Sequence, residues 1–487
     1  MSRLTLLVFL FLFISSVACG ADRPNIIVIF TDDHGWADLR CQSSLTDIKT
    51  PNLDAMGKEG VVCTAGYITA PQCVPSRAGL LTGRYQQRFG VRSNGLGPLP
   101  LTEKTIAARL QAAGYVTGMV GKWHLDPNHS DKNWYKANPQ PSQKLLMKYN
   151  PINRGFDDVF YGSMYNCYVT YDLAGDDVRG KNPTPTDPGK KIKLSGYRLD
   201  NQTDAALAFL KRHKEGKKPF FLYLAYFAPH VPLEAPPKYL SRFPGEMPER
   251  RRVALAMLSA VDDGVGRIRE QLRQYKMEKN TLIFFIGDNG APLKMGMKDI
   301  PLTFKGGAWD GSRNDPWVGE KGMISEGGVR VPYVVTYPGA IPAGKVYKEP
   351  VSSLDVGATA LALATDNIPE DLDGVNLLPY LTGEKKGEPH TALYWRFWAQ
   401  AAVREGKWKY IQLPNQAPRL FDLTSEEHEK RNLAKEHPAV VTRLAKRLAA
   451  WQKELELKES GLNSQEVKFY EYYFPTKTST DPALSPN

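Results

Sequence analysis

The run Asn25-Ile26-Ile27-Val28-Ile29-Phe30, closed by Thr31-Asp32-Asp33, decides the fold class. A continuous apolar run that stops at polar residues reads as a strand buried on both faces, the condition of a parallel sheet. The pattern recurs along the chain. Val116 to Val120 ends at Gly121-Lys122-Trp123-His124, Phe220 to Phe227 at Ala228-Pro229-His230, and Thr281 to Ile286 at Gly287-Asp288-Asn289-Gly290. Val331 to Tyr337 reads as a fifth strand. Helical stretches lie between them. Thr102 to Ala113 has Thr102 as its N-cap and Gly114 as its stop; Arg251 to Tyr275 carries Leu258, Val261, Val265, Ile268 and Leu272 at helical spacing. This alternation predicts an α/β fold, a large doubly wound, mostly parallel sheet sandwiched by helices. Ligands of such sheets bind beyond the carboxyl ends of the strands. Four of these strands end in polar residues able to do chemistry.

The composition fits a globular chain. With 487 residues, 42% hydrophobic and 24% charged, bulk disorder, collagen and coiled coil are excluded. The net charge of +11 suggests a polyanionic partner: nucleic acid, anionic lipid or acidic polysaccharide. The basic residues are dispersed and form no recognised nucleic-acid motif, so nucleic acid is not expected. Residues 1–20 have the layout of a secretory signal peptide: basic Arg3, apolar Leu4 to Ile14, then small residues. The mature chain is expected to be exported, periplasmic or extracellular. A membrane tether is expected only through lipidation at Cys19, where Ser16 stands in place of the usual Leu. Five cysteines are too few for a disulfide framework and allow at most one bridge.

Asp32, Asp33, Asp288 and Asn289 offer oxygen donors only, a set suited to Ca²⁺ or Mg²⁺. Without a cation their carboxylates repel one another. Cys73 lies in Ala70-Pro71-Gln72-Cys73-Val74-Pro75-Ser76-Arg77, and Pro75 suits the first turn of a helix. Such a helix aims free N–H groups at an anion near residue 73, with Arg77 one turn on. Lys122 and His124 share a strand end, His230 closes another, and Lys321 stands in a Gly-rich turn before a strand. Together they describe a pocket for a multiply charged anion with groups that move protons.

Cys73-Val-Pro-Ser-Arg77 followed by Leu81-Thr-Gly-Arg84 resembles the formylglycine signature of the type I sulfatases, in the alkaline phosphatase superfamily. Gly121-Lys-Trp-His-Leu125 resembles their second signature. Pro24 to Asp33, His230 after Ala-Pro, Gly287 to Gly290, and Lys321 with its following Glu-Gly-Gly match in order. The resemblance implies that a formylglycine-generating enzyme oxidises Cys73, and that the hydrated aldehyde attacks the sulfur of a sulfate ester through a sulfated enzyme. It implies His230 as donor to the leaving alcohol and His124 as the base that expels sulfate. Calcium on Asp32, Asp33, Asp288 and Asn289, and sulfate contacts from Arg77, Lys122 and Lys321, are implied too.

Candidate substrate contacts are His34, Trp309, Asp310, Arg313 and Trp317, and an aromatic group of Tyr161, Tyr165, Tyr168 and Tyr171. A sulfated glycan is the expected partner, with galactose or N-acetylgalactosamine sulfates favoured by likeness to sulfatases that carry Ala-Pro-Gln-Cys and Gly83-Arg-Tyr-Gln-Gln-Arg88. Two rivals remain: a phosphate or phosphonate ester hydrolase of the same superfamily, and a sulfoglycan-binding protein whose Cys73 stays unmodified. The expected organisation is a signal peptide at 1–20, a catalytic domain at 21–385 and a C-terminal α+β subdomain at 386–487. Residues 126–150 and 174–195 read as insertion loops and the last dozen residues as a frayed end.

Overall fold

The computed structural model describes residues 23–163, 165–180, 189–304, 306–455 and 461–475. The expected signal peptide with Cys19, residues 181–188 of the expected insertion loop 174–195 and the last dozen residues lie outside the described residues.

Ten strands form the main sheet: Asn25–Asp32 (β1), Val61–Cys63 (β2), Val116–Gly121 (β3), Asp158–Gly162 (β4), Asn166–Val169 (β5), Lys190–Lys193 (β6), Phe220–Pro229 (β7), Thr281–Gly287 (β8), Tyr333–Thr336 (β9) and Lys345–Tyr347 (β10). Their order is β10-β2-β9-β8-β1-β7-β3-β4-β5-β6. The central five, β8 to β4, are parallel. Alternate residues feed two cores. Ile26, Val28 and Phe30 pack on one face, Ile27 and Ile29 on the other. The unbroken apolar run follows from that double burial.

The longer helices are Pro51–Glu59 (α1), Cys73–Thr82 (α2), Ile106–Ala112 (α3), Arg198–His213 (α4), Glu249–Gln274 (α5), Asp355–Thr365 (α6), Pro438–Gln452 (α7) and Ser464–Tyr473 (α8). In α5 the predicted stripe Leu258, Val261, Val265, Ile268 and Leu272 is buried against the second core. Four strands, Leu393–Phe397 (β11), Gln400–Glu405 (β12), Trp408–Gln412 (β13) and Arg419–Asp422 (β14), make a separate antiparallel sheet. Its Trp395, Phe397 and Ile411 join the main core, while Val403, Tyr410 and Leu420 lie under Leu444, Leu448 and Trp451 of α7.

Several expectations need correction. The N-cap of α3 is Thr105, whose hydroxyl accepts from Ala108 N at 3.0 Å and donates to Arg154 O at 2.6 Å. Thr102 sits in the preceding turn; the tertiary bond to Arg154 decides between the threonines. The fifth strand is only Tyr333–Thr336 and runs antiparallel to β8. Its carboxyl end therefore leaves the face where the other four strands end. Segment 126–150 contains two short helices, Lys132–Ala137 and Gln143–Met147. Cys41, Cys63, Cys73 and Cys167 are all free thiols.

Candidate active site

The four parallel strands β1, β3, β7 and β8 deliver their polar ends to one place. Asp32 is the last residue of β1, and Asp33 follows it with φ of 61°. That left-handed turn sends the adjacent carboxylates different ways. Asp288 follows β8 and its N–H donates to Thr31 O at 2.9 Å, so the two acidic pairs are locked side by side. Asp33 N donates to Asp288 Oδ1 at 3.0 Å. Gly121 ends β3 with φ of 97°, and a Cβ there would strike Ala225 O, so only glycine carries the chain on to Lys122.

Helix α2 begins at Cys73 itself, two residues before Pro75, and all ten of its residues are buried. Its axis therefore starts at the strand ends, with the thiol beside Asp32. Cys73 Sγ lies 3.5 Å from Asp32 Oδ1. One turn on, Arg77 is fully buried. Its Nη2 donates to Asp288 Oδ2 at 2.7 Å, and its Nη1 to Lys122 O at 3.1 Å and Tyr223 Oη at 3.3 Å. Lys122 Nζ is 2.6 Å from Asp32 Oδ2, and Lys321 Nζ is 2.7 and 2.8 Å from the two Asp33 oxygens. His230 Nε2 stands 3.7 Å from Asp33 Oδ2.

The charges explain one another. Burial alone would raise Asp32, but Lys122, His230, Arg77 and Lys321 outweigh it and hold its carboxyl well below the usual range. Asp33 is likewise depressed despite burial, chiefly by Lys321 and His230. Asp288 goes the other way, to about 7, through burial and the proximity of Asp32. The charge of Asp288 is thus the most costly of the three to keep. Burial, Lys122 and Arg77 push His124 well below its ordinary value, so its imidazole is neutral at neutral pH and able to accept a proton. Burial also pushes the Cys73 thiol up to about 12, which disfavours a thiolate nucleophile.

Ligand atoms of Asp32, Asp33, Cys73 and Asp288 all lie within 4.8 Å of one another. Asn289 Oδ1 is buried and has no hydrogen-bond partner among the described residues, while its Nδ2 donates to Asp33 Oδ1 at 2.6 Å. An orphaned carbonyl oxygen beside three carboxylates is a donor waiting for a cation. The residues therefore fit a hard divalent metal held by oxygen.

Comparison with known families gives the decisive match: residues 24–366 match the family model described as sulfatase. The chain belongs to the sulfatase family. Residues 317–454 of this sulfatase also match the model described as N-sulphoglucosamine sulphohydrolase, C-terminal. Sulfatases hydrolyse sulfate esters, and the chain is an enzyme of that class. It is 33% identical over 409 residues to an uncharacterized sulfatase, YdeN, of Escherichia coli, covering 77% of this chain and 68% of that protein. It is 33% identical over 419 residues to the N-acetylgalactosamine-6-sulfatase of Canis lupus familiaris, covering 80% and 72%. A solved structure, Ps i-CgsB in complex with k-i-k-neocarrahexaose, superposes with a TM-score of 0.73 at 30% identity, covering 92% of this chain and 97% of that one.

Not every expected residue reaches the sulfatase's pocket. His34 is fully buried, with Nδ1 3.0 Å from Thr31 Oγ1 and Nε2 2.9 Å from Asp38 O, and it faces the fold rather than a substrate. Trp309 is buried and donates from Nε1 to Ser312 O at 2.8 Å. Trp317 is buried against the Arg330 guanidinium, 3.8 Å from its ring centre. Arg313 pairs with Asp315 at 2.8 Å. Asp310 alone of that segment lines a cavity, with Asp33, His230 and Lys321. Of the tyrosines, Tyr161 and Tyr168 line a second cavity beside His124, Tyr165 binds Glu234 at 2.7 Å, and Tyr171 is a core residue. Sequence reasoning missed Tyr223, which props Arg77, and Asp126, which lines the second cavity two residues beyond His124.

Proposed function

We propose that this sulfatase removes sulfate from a sulfated carbohydrate, a galactose or N-acetylgalactosamine sulfate of a glycan, with Cys73 converted to formylglycine and Ca²⁺ in the oxygen-lined pocket. The observation that carries the reading is the convergence of Arg77, Lys122, Lys321 and His230 on residue 73 at the start of α2, with His124 in the field of Lys122 and Arg77. The glycan is supported by the relatives named for N-acetylgalactosamine 6-sulfate and by a structural neighbour that holds a neocarrahexaose. Export is part of the same reading, supported by the basic, apolar and small residues in order over 1–21.

When bound to Asp32, Asp33, Asp288 and Asn289, the metal would supply positive charge at the sulfate oxygens and at residue 73. Formylglycine at 73 would supply, as its hydrate, a hydroxyl nucleophile where the cysteine thiol cannot act. The chain's own groups do the rest. Lys122 and Lys321 carry flexible ammonium groups whose three donors divide between carboxylates and the oxygens of an incoming anion. Arg77 is fixed by four contacts and holds the wall of the pocket in place. His230 Nε2 faces the cleft between both cavities and donates a proton to the leaving alcohol oxygen. Burial, with Lys122 and Lys321, depresses the proton affinity of His230, and an entering sulfate raises it. His124, kept neutral by burial, Lys122 and Arg77, accepts the proton released at residue 73.

The test is sulfate release from a panel of sulfated sugars and nitrophenyl sulfate, using protein matured with a formylglycine-generating enzyme and checked at residue 73 by peptide mass. Release that Cys73→Ala abolishes supports the reading and names the linkage. Turnover of nitrophenyl phosphate in preference to the sulfate would overturn it in favour of a phosphoester substrate.

A further inference from the structure

The catalytic pocket is flanked by two cavities that share His230. One, of about 610 Å³, opens past Lys321 and Asp310; the other, of about 680 Å³, opens past His124. The second is far larger than a sulfate group and falls in the size range of organic ligand sites. Its inner wall is a cross-strand pair, Tyr161 of β4 opposite Tyr168 of β5. Their ring centroids are 5.8 Å apart and the planes 26° from parallel. Tyr161 is buried and Tyr168 half-buried, so the outer ring is backed by the inner one. Neither hydroxyl has a hydrogen-bond partner among the described residues.

Asp126 lines the same cavity and is its only carboxylate among the described residues. No other described residue donates a hydrogen bond to it. Burial and Asp131 raise its carboxyl to about 6, so it is ionised at neutral pH and accepts hydrogen bonds. Burial raises the Tyr161 phenol, and the field of Asp126 adds to it; both groups line the one cavity. Two of the cavity's three lysine and arginine side chains are engaged. Lys122 holds Asp32 at 2.6 Å, and Arg198 donates to His230 O and Pro232 O at 3.1 and 2.8 Å. Lys191 is on the exposed edge strand β6, where water screens it. Stacked aromatic rings, a free acceptor and free phenols suit a pyranose with hydroxyls. An ionised carboxylate among them disfavours a second sulfate.

We propose that the Asp126–Tyr161–Tyr168 cavity is a subsite for an unsulfated sugar unit joined to the one bearing the scissile sulfate, so that the substrate is at least a disaccharide. This rests on the sulfatase reading above. Tyr168 supplies the platform, Asp126 takes the sugar hydroxyls, and His124 and His230 mark the junction with the reacting sulfate.

The experiment compares kcat/KM of matured, calcium-loaded enzyme on four substrates: nitrophenyl sulfate, a sulfated monosaccharide, its disaccharide with an unsulfated neighbour, and the same disaccharide with both units sulfated. Expected for the native protein is a preference of about ten-fold or more for the singly sulfated disaccharide over the other two sugars. Asp126→Asn should narrow its advantage over the doubly sulfated one, and Tyr168→Ala should lower its kcat/KM mainly through KM. Matching melting temperatures exclude misfolding, and Tyr168→Phe serves as a second variant that keeps the platform. Equal rates on monosaccharide and disaccharide, or ratios untouched by Asp126→Asn, overturn the subsite while leaving the sulfatase reading standing. No release from any substrate, nitrophenyl sulfate included, overturns both.

Discussion

Lys409 Nζ lies 2.7 Å from Glu326 Oε1, and neither side chain is exposed at all. Lys409 belongs to β13 of the small sheet; Glu326 closes the turn that carries Lys321. The same ammonium is 3.3 Å from Glu429, whose carboxylate also accepts from Glu326 N at 2.7 Å. Arg330 and Tyr67 satisfy the other Glu326 oxygen at 3.1 and 2.6 Å. The small sheet therefore clamps the turn behind Lys321, the lysine proposed to meet the sulfate. Removing one member of a buried charge cluster costs about 3 kcal/mol or more. Lys409→Met should lower unfolding free energy by that order in denaturant titration and reduce nitrophenyl sulfate turnover as the Lys321 turn loosens. A change below about 0.5 kcal/mol, the scale of a plain surface substitution, would sink the clamp.

The same cluster sets a pH dependence. Burial, and then the charge of Glu326, lift Glu429 from 4.5 to about 7 against the pull of Lys409. Between those values the folded chain holds a proton that the unfolded chain has lost. Stability contributed here is thus present below pH 4.5 and falls as pH rises towards 7. Glu326, held at about 2 by Lys409, Arg330 and Arg404 against the effect of burial, acts oppositely and only below pH 4.5. Glu429→Gln should flatten the melting temperature between pH 4.5 and 7. A slope parallel to the native protein's would contradict this account.

Asp288, raised to about 7, must release its proton for the pocket to take a cation. Chelator-treated protein should therefore gain more melting temperature from added Ca²⁺ at pH 8 than at pH 5.5. Asn289→Leu removes the orphaned oxygen and should shrink that gain at both. An equal gain at both pH values in the native protein would place the cation elsewhere.

Lys122→Ala and Lys321→Ala each remove a cation proposed to hold the sulfate. Each should lower kcat/KM about a hundred-fold or more, the scale seen when a preorganised charge stabiliser is lost. Arg77→Lys should be no milder. A single ammonium cannot serve Asp288, Tyr223 and the Lys122 carbonyl together. Retention of full activity by either alanine variant would remove that lysine from the reaction.

Much of this was legible in the chain. Ile26 to Phe30 announces a doubly buried strand because both faces of β1 pack on a core, and the catalytic set announces itself by sitting where such strands stop. What stayed hidden is the direction each side chain takes once its neighbours are in place. His34 follows two metal-site aspartates, yet Thr31 and the Asp38 carbonyl take both of its ring nitrogens. Trp309 and Arg313 flank Asp310 in an open-looking Gly-rich stretch, but only the aspartate points at the pocket. The fourth strand of the small sheet has four residues and α8 has ten, too short for their periodicity to stand out. Asp126 did leave a trace, a charge directly after Gly121-Lys-Trp-His-Leu125, but only the fold sets it against Tyr161.

Cys73 is 1% exposed, enclosed by a helix with no solvent-facing side and by the ends of β1 and β8. An enzyme that oxidises this thiol needs the surrounding segment drawn out into its own cleft, and the finished fold leaves nothing to draw out. The proposed maturation is therefore a race. A molecule that closes around an unmodified cysteine is stranded in that form for as long as it stays folded. The active fraction of any preparation is then fixed by the relative speeds of oxidation and chain closure, and changes that hasten closure yield more protein with less activity.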